Sequence, residues 1–438
     1  MKKAMIYGGG ISGKSVKKLL EIIGWETVLV DDQIGLSSTD AVSYLDSIDL
    51  FIKSPGIPYN ELVKETLKKG IKVVDEVEVA YNYMKETSKT KIIAITGTNG
   101  KTTTTSKLAD LLNIAGIKSI AAGNIGVPFS QVVMEKGKYD YIVLELSSYQ
   151  LENLNNFKAD ISLIINLAPD HLDRYESVEE YYEAKMNITL NQSKKEKFIA
   201  NIDDEELLKR LEKVKSEIIE ASLEKDADIC IKKDVLYFKG EEITPINNFS
   251  LKGKHNLQNI LFIVGVAKLL KIENSVIKEF LESTQNLEHR MEEFYTYESK
   301  KTKINFINDS KGTNLESTLK AIGAFENPIL ICGGCNKNLE LKPLIEEIKK
   351  SVAEVYLIGE LASILEKELL ESEYPKEKIY NLGTLDEVIK SLAKNKKEIG
   401  KELTVLLSPA TSSFDQFKNF NVRGKEFKRL VREYFDIK

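Results

Sequence analysis

The sequence predicts an α/β protein of parallel sheets divided into three domains. Three observations carry that prediction. Short apolar runs rich in β-branched residues alternate with longer stretches whose apolar residues recur at helical spacing, the pattern of strands joined by crossover helices. Two glycine-rich turns, at 8–13 and 97–100, each follow such a run and open a helical pattern. The alternation breaks at the polar "MKETSKTK" (84–91) and at "NLEHRMEEF" (286–294), and restarts after each. We place the divisions at about 90 and 291, giving domains 1–90, 91–290 and 291–438.

The first strands are expected at 4–7 (AMIY), 27–30 (TVLV), 50–52 (LFI) and 72–74 (KVV). A second set follows at 91–96 (KIIAIT), 141–146 (YIVLEL), 161–167 (ISLIINL) and 197–202 (KFIANI). A third lies at 328–333 (PILICG), 354–359 (EVYLIG) and 403–408 (LTVLLS). Each is a short run of residues that suit a buried, pleated surface. Between them, 341–352 and 361–370 carry apolar residues at helical spacing, and Leu108, Leu111, Leu112 and Ala115 recur at i, i+3, i+4, i+7. There is no internal repeat of solenoid length and no low-complexity tract.

Of the 438 residues, 42% are hydrophobic and 29% charged, with a net charge of −5 and both signs interspersed. Nothing in that balance favours nucleic acid as a partner. No apolar run reaches the roughly 20 residues that span a bilayer. The N-terminus begins with lysines like a secretory signal, but its apolar run stops at glycines and Lys14, as a strand entering a turn would. A cytoplasmic monomer without membrane insertion is expected. Cys230, Cys332 and Cys335 are an odd, sparse set that fits a reducing compartment. The C-x-x-C pair has no second pair to complete a zinc site, and buried free thiols account for it.

The turn "GTNGKTTT" (97–104) sits between a strand and a helix, where a phosphate loop belongs. Backbone N–H groups at such a turn point at an anion, and the helix dipole favours it. The usual loop is G-x-x-x-x-G-K-[ST]. Here Ile95 stands where its first glycine would be, and the first glycine comes two residues later, at Gly97. Gly97, Thr98, Asn99, Gly100, Lys101, Thr102 and Thr103 form the candidate nucleotide cradle. Lys101 would put positive charge on the β/γ-phosphates, and the Thr102 hydroxyl could ligate Mg²⁺. Glu145 falls at the carboxyl end of the strand 141–146, where ligands of open α/β sheets collect. A carboxylate there is a hard oxygen donor suited to Mg²⁺. The three histidines each fall in a polar cluster beside a strand or helix end: His171 in "NLAPDHLDRY", His255 in "GKHNLQN" and His289 in "LEHRME". Such places favour sites over cores.

At the N-terminus, "GGGISG" (8–13) satisfies G-x-G-x-x-G after a strand, and Asp31 and Asp32 end the next strand about 20 residues on. This is a dinucleotide fingerprint, so the first domain is expected to be Rossmann-like. The fingerprint equally describes an NAD-linked oxidoreductase. That rival leaves the loop at 97–102 and the whole third domain without a use.

The motifs "GTNGKTTT", "ELSSYQ" (145–150), "NLAPDHLDRY", "YYEAKMNI" (181–188), "GKHNLQN", "LEHRME", "INDSKGTNLEST" (307–318), "GGCNK" (333–337) and "LLSPATSSFDQFKNFNVRGKEF" (406–427) closely resemble those of the Mur ligases. These are the ATP-dependent amide-bond-forming enzymes of peptidoglycan synthesis. With the fingerprint, the resemblance spans positions 8 to 427. It implies a Rossmann-like N-terminal domain holding a uridine diphosphate, a central P-loop ATPase-like domain, and a Rossmann-like C-terminal domain holding the incoming amino acid.

Within the family, the pattern is nearest to members that add D-glutamate to UDP-N-acetylmuramoyl-L-alanine through an acyl phosphate. The implied cofactors are ATP and two Mg²⁺ ions. By the same resemblance, Thr102, Glu145, His171 and Lys185 serve the metals, Lys185 as a carbamate formed with CO₂. Lys101, Lys185 and His171 would carry the catalysis. Asn259, Arg290, Asp309 and Lys311 would contact ATP, with Asn256 in the same motif, and His255 and His289 receive no chemical role. Ile11, Ser12, Asp31 and Asp32 would line the uridine diphosphate, and Asn124 and Ser147 would contact the sugar–peptide part. Lys311, Thr313, Lys337, Ser413 and Phe420 would hold the amino acid, whose carboxylates suit cations and hydroxyls. Two positions depart from the family: Gly312, often Ala, and Cys335, often Asp.

Overall fold

The computed structural model describes residues 2–170, 174–251, 253–299, 302–336, 339–395 and 402–436. The chain divides into two compact units, Met1–Thr284 and Gln285–Lys438. Three sheets run through it. In the first unit, β1 (Lys3–Tyr7), β2 (Glu26–Val30), β3 (Leu50–Lys53) and β4 (Lys72–Val74) form a parallel sheet of order β2-β1-β3-β4. The second sheet uses β5 (Lys91–Thr96), β6 (Ser119–Gly123), β7 (Tyr141–Glu145), β8 (Ile161–Ile164), β9 (Lys197–Asn201) and β10 (Glu217–Ser222). It continues into β11 (Ile229–Lys232), β12 (Val235–Phe238) and β13 (Glu241–Pro245), in the order β13-β12-β11-β10-β9-β8-β5-β7-β6. Its strands are parallel except for the hairpins at β11, β12 and β13.

The second unit holds β14 (Glu292–Glu298), β15 (Lys303–Asn308), β16 (Ile329–Gly333), β17 (Glu354–Ile358), β18 (Ile379–Gly383) and β19 (Glu402–Leu407). Their order is β14-β15-β19-β16-β17-β18, with only β14 antiparallel. The helices Lys342–Ser351 and Ala362–Glu371 fall on the two helical stretches expected at 341–352 and 361–370.

All eleven expected strands form, within two residues at most ends. The exception is 161–167, where β8 stops at Ile164. Residues 165–168 leave the ladder to hydrogen-bond the glycine-rich loop: Thr98 N–H donates to the Asn166 carbonyl at 2.9 Å, and Asn99 N–H to Asn166 Oδ1 at 2.9 Å.

The first two sheets share one hydrophobic core. Ile6, Val16, Ile52, Val77 and Ala80 cluster with Ile92, Phe129, Leu144 and Phe157. Polar bolts reinforce this seam from the helix Glu76–Thr87. Glu78, 1% exposed, accepts the backbone N–H groups of Asn155 (3.0 Å), Asn156 (2.8 Å) and Phe157 (3.1 Å). A carboxylate bound by several N–H groups is among the stronger neutral-to-charged arrangements in proteins. Replacing it with alanine strands those donors. Glu78→Ala is expected to lower unfolding free energy by about 3 kcal/mol, read from urea denaturation of the full chain. A loss below about 0.5 kcal/mol, the size of an ordinary surface change, would contradict this account of the seam.

Candidate active site

β5 is an interior strand of the second sheet, flanked by β7 and β8, so its carboxyl end is a place where loops from three strands meet. The glycine-rich loop leaves here. Gly97 has φ of +148° and Gly100 +85°, values that favour glycine. A side chain at Gly100 would also strike Asn259, since a Cβ there would lie 2.3 Å from Asn259 Oδ1. Gly100 is the N-cap of the helix Lys101–Ile114 and offers no capping side chain. The N-terminus of that helix, with its dipole, faces the loop where an anion would sit.

Two lysines converge on one atom of this loop. Lys101 Nζ donates to the Gly97 carbonyl at 2.8 Å and to the Thr98 carbonyl at 2.9 Å. Lys185 Nζ donates to the same Gly97 oxygen at 2.9 Å. Lys185 comes from the helix Val178–Met186, is 1% exposed, and lies over the Tyr181 ring at 4.6 Å. Burial, reinforced by the Lys101 charge, holds its amine well below the ordinary lysine range; Asp170 and Glu145 pull the other way. Lowering the proton affinity of a buried amine makes it more available as a nucleophile.

Glu145 ends β7 and is 2% exposed. Its Oε1 accepts from Asn124 Nδ2 at 2.9 Å, and the Asn124 N–H donates to the Glu145 carbonyl at 2.9 Å. Its Oε2 is buried without a hydrogen-bond partner. An orphaned, hard carboxylate oxygen beside a phosphate-type loop fits a magnesium ligand, so the donor set suits the implied ion. Thr102 is buried in the first turn of the same helix. His171 lies outside the described residues.

Sequence reasoning missed the supports of this loop. The Thr98 hydroxyl donates to the Ala168 carbonyl and accepts the Ala168 N–H, both at 3.0 Å, and it lies 3.2 Å from the Tyr181 hydroxyl. Asn166 Nδ2 returns a bond to the Asn99 carbonyl at 3.3 Å. The polar residues after a strand in "NLAPD" were the available signal.

At the first sheet, Gly13 lets the helix Ile11–Ile22 press against the strand turn. A Cβ there would lie 1.9 Å from the Gly8 carbonyl oxygen, which is the packing role of the third fingerprint glycine. Asp31 Oδ2 accepts the Gly9 N–H at 2.7 Å, and its Oδ1 accepts from Gln33 and Ile34. Chiefly through the Gly9 bond, its carboxyl stays below the ordinary range. Asp32 takes the Ser38 N–H at 2.7 Å. Both acids therefore shape their own loop. Ile11 is 74% exposed at the mouth of the turn, with Ser12 beside it half-buried. Ser147 caps the helix Ser148–Leu151 in a reciprocal box with Gln150.

In the second unit, the carboxyl ends of β15 and β19 gather a second group. Asp309 Oδ2 accepts from Ser408 Oγ at 2.7 Å and Oδ1 from the Met291 N–H at 3.2 Å; burial lifts its carboxyl to about 7. Arg290 lies next to Met291, and its charge opposes that rise. The Lys311 N–H donates to the His289 carbonyl at 3.0 Å, and its ammonium lies 5.4 Å from the Phe420 ring centre. Thr313 follows in the same turn, its N–H bonded to the Lys311 carbonyl. Ser413 is buried. Gly312 has a steric reason to be glycine, since a Cβ would lie 2.4 Å from Asp309 Oδ2. Lys337 lies outside the described residues. His289 is buried, with Nδ1 2.9 Å from Asn308 Nδ2, and packs against Gly424. The three cysteines are free; Cys332 is buried, and Cys335 Sγ accepts the Asp415 N–H at 3.1 Å. Among the described residues no helix is long and apolar enough to cross a membrane.

Comparison with known proteins adds three findings. Residues 95–267 match the family model of the Mur ligase middle domain. The chain is 51% identical over 436 residues to a UDP-N-acetylmuramoylalanine–D-glutamate ligase of Fusobacterium nucleatum subsp. nucleatum, covering 99% of this chain and 100% of the relative. A ligase of the same name from Caldanaerobacter subterraneus subsp. tengcongensis is 36% identical, over 99% of this chain and 98% of its own. The fold is similar to solved structures of MurF from Acinetobacter baumannii (TM-score 0.65, 15% identity, 96% of this chain and 98% of that one) and of the UDP-N-acetylmuramate-alanine ligase from Thermotoga maritima (TM-score 0.60, 18% identity, 99% of each).

The depressed Lys185 amine makes a stability prediction. Its folded state binds fewer protons than its unfolded state, so the cost is absent where both are neutral and grows as pH falls below the free value of 10.5. In CO₂-free buffer, Lys185→Met is expected to be more stable than the parent at pH 7, with the gap narrowing as pH is raised toward 10. A gap independent of pH in urea melts would contradict the burial argument.

Proposed function

The chain belongs to the Mur ligase family, and on that premise we propose that it joins D-glutamate to UDP-N-acetylmuramoyl-L-alanine at the expense of ATP. The reaction would be a step of cytoplasmic peptidoglycan-precursor synthesis, carried out by a monomer. The observation that carries the reading is the pair of lysines on the Gly97 oxygen, beside the open carboxylate oxygen of Glu145. The substrates follow from the names of the full-length relatives. We keep 1–90, 91–290 and 291–438 as the functional domains for the UDP moiety, ATP and the amino acid.

Joining a carboxylate to an amine in water is uphill, because a carboxylate is a poor electrophile. The alanyl carboxylate would first attack the γ-phosphorus of ATP, giving an acyl phosphate and ADP. The amine of D-glutamate would then add to the acyl carbon, and inorganic phosphate would leave from the tetrahedral intermediate. The loop 97–103 would hold the phosphates through backbone N–H groups, with Lys101 turning from the loop carbonyls to the γ-phosphoryl as its charge shifts. Two Mg²⁺ ions, when bound, would neutralise charge on the transferring group. Thr102 and Glu145 are the residues for one, and His171 and carbamylated Lys185 for the other. Asn124 would fix the Glu145 carboxylate, and Ser147 would meet the sugar–peptide part. Ile11, Ser12, Asp31 and Asp32 would border the UDP. Asn259, Arg290, Asp309 and Lys311 would contact ATP, and Lys311, Thr313, Lys337, Ser413 and Phe420 the amino acid.

The test is product analysis by mass spectrometry with phosphate release in parallel. Amide product and phosphate should require ATP, UDP-N-acetylmuramoyl-L-alanine and D-glutamate together, and Lys101→Ala should lower turnover at least about 1,000-fold. Equal use of L-glutamate would contradict the substrate assignment, and near-normal turnover by Lys101→Ala would remove the loop from the mechanism. NADH binding without UDP-sugar binding would favour the oxidoreductase rival. For Lys185, the alanine variant should lose activity and regain part of it with added short-chain carboxylic acids that replace the carbamate. Loss without any rescue would argue against that role.

A further inference from the structure

Arg423 is the largest of the fully buried side chains and is 1% exposed. It projects from the helix Phe420–Phe435. Its Nε donates to Ser310 Oγ at 3.0 Å, and its Nη2 to the carbonyls of Ser310 at 2.9 Å and Thr411 at 3.2 Å. Ser310 Oγ in turn donates to the Phe420 carbonyl at 2.9 Å. The guanidinium thus ties together the loop after β15, the loop after β19 and its own helix. It makes no ion pair among the described residues, and Nη1 is buried without a hydrogen-bond partner.

A buried cation that makes no direct ion pair is costly to keep. Burial lowers the guanidinium to about 10, with Asp415, Cys332, Cys335 and Asp309 pulling it back up, so it stays protonated at neutral pH. The surroundings match an anion. Gly334 brings backbone against the guanidinium: a Cβ there would lie 3.2 Å from Nη1 and 2.4 Å from the Ser412 carbonyl oxygen. The hydroxyls of Ser412 and Ser413 are both buried without partners. Lys311 adds a second cation near Phe420.

Resting on the reading above, we propose that Arg423 is a specificity-determining positioning residue: its buried charge and its clamps on Ser310 and Thr411 make this corner select an amino acid with a second carboxylate over the neutral amide of the same shape. Arg423 does not touch the amino acid. It acts through the field it projects and through the two loops it fixes, which present Lys311, Thr313 and Ser413.

The test compares D-glutamate with D-glutamine in the full chain, with ATP and UDP-N-acetylmuramoyl-L-alanine saturating. Arg423→Met should cut kcat/KM for D-glutamate about 100-fold, mostly through KM, and for D-glutamine only a few-fold, so that the preference falls about tenfold or more. Arg423→Lys, which keeps the charge and loses the fork, should retain more of the preference, and KM for ATP should stay within about twofold in both. If Arg423→Met does not fold, as judged by circular dichroism, Arg423→Lys and Ser310→Ala carry the comparison. Ser310→Ala leaves the charge and the Thr411 clamp in place and loosens one contact, so it should lower the preference less than either Arg423 variant. Equal losses for both amino acids in the Arg423 variants would overturn the proposal and leave Arg423 a structural clamp. So would a Ser310→Ala change that lowers the preference more than the Arg423 variants do. Failure of the parent chain to make amide from D-glutamate would instead overturn the reading it rests on.

Discussion

The carbonyl oxygen of Gly97 is the fixed point of the first unit. It accepts from Lys101 and from Lys185, and no side chain other than hydrogen suits its backbone angle. The Lys101 charge makes Lys185 harder to protonate. Lys185, sealed from water, is the one that yields. A conventional phosphate loop needs only one lysine. Here the loop begins two residues late and brings a second amine onto its own backbone. The positions of Glu145 on one flanking strand and of Asn166 after the other then follow from β5 lying between β7 and β8.

Rigidity around this point has identifiable sources. Thr98 and Ala168 exchange hydrogen bonds, Asn166 bonds both faces of Asn99, and Asn124 holds Glu145 by backbone and side chain. Such supports matter because catalytic groups misplaced by about 1 Å can lose about 100-fold in rate. The second unit uses a different device for the same end. One buried guanidinium replaces many small contacts, binding Ser310 and Thr411 at the ends of neighbouring strands.

Much of this was legible in the chain. Strands such as KIIAIT and KVV stand at the positions their composition predicts, because a fully buried parallel strand is a continuous apolar run. The strands β6, β10, β11, β12, β13, β14, β15 and β18 were not foreseen. SIAAG is small and weakly apolar, EEFYTYE is an edge strand with acids along it, and KINFIN alternates with polar residues, so none carries a continuous run. Among site residues, glycines and Lys101 were readable from local spacing. Lys185 was not: a helix lysine gains its character only from the tertiary burial that places it against a loop 88 residues away. Asp31 and Asp32 illustrate the reverse, since their motif suggests ligand contact while their carboxylates cap Gly9 and Ser38. Arg423 could not be singled out from sequence, because its meaning lies in the tertiary clamps it makes on Ser310 and Thr411.

The central claim is that burial beside the Gly97 loop, with the Lys101 charge, weakens proton binding at the Lys185 amine enough for it to take up CO₂. The direct measurement is ¹³C NMR of the full chain equilibrated with ¹³C-bicarbonate and Mg²⁺, for the parent and for Lys185→Met. The account predicts a carbamate resonance in the parent that is missing from the variant. Identical spectra, with no carbamate signal tied to Lys185, would contradict it.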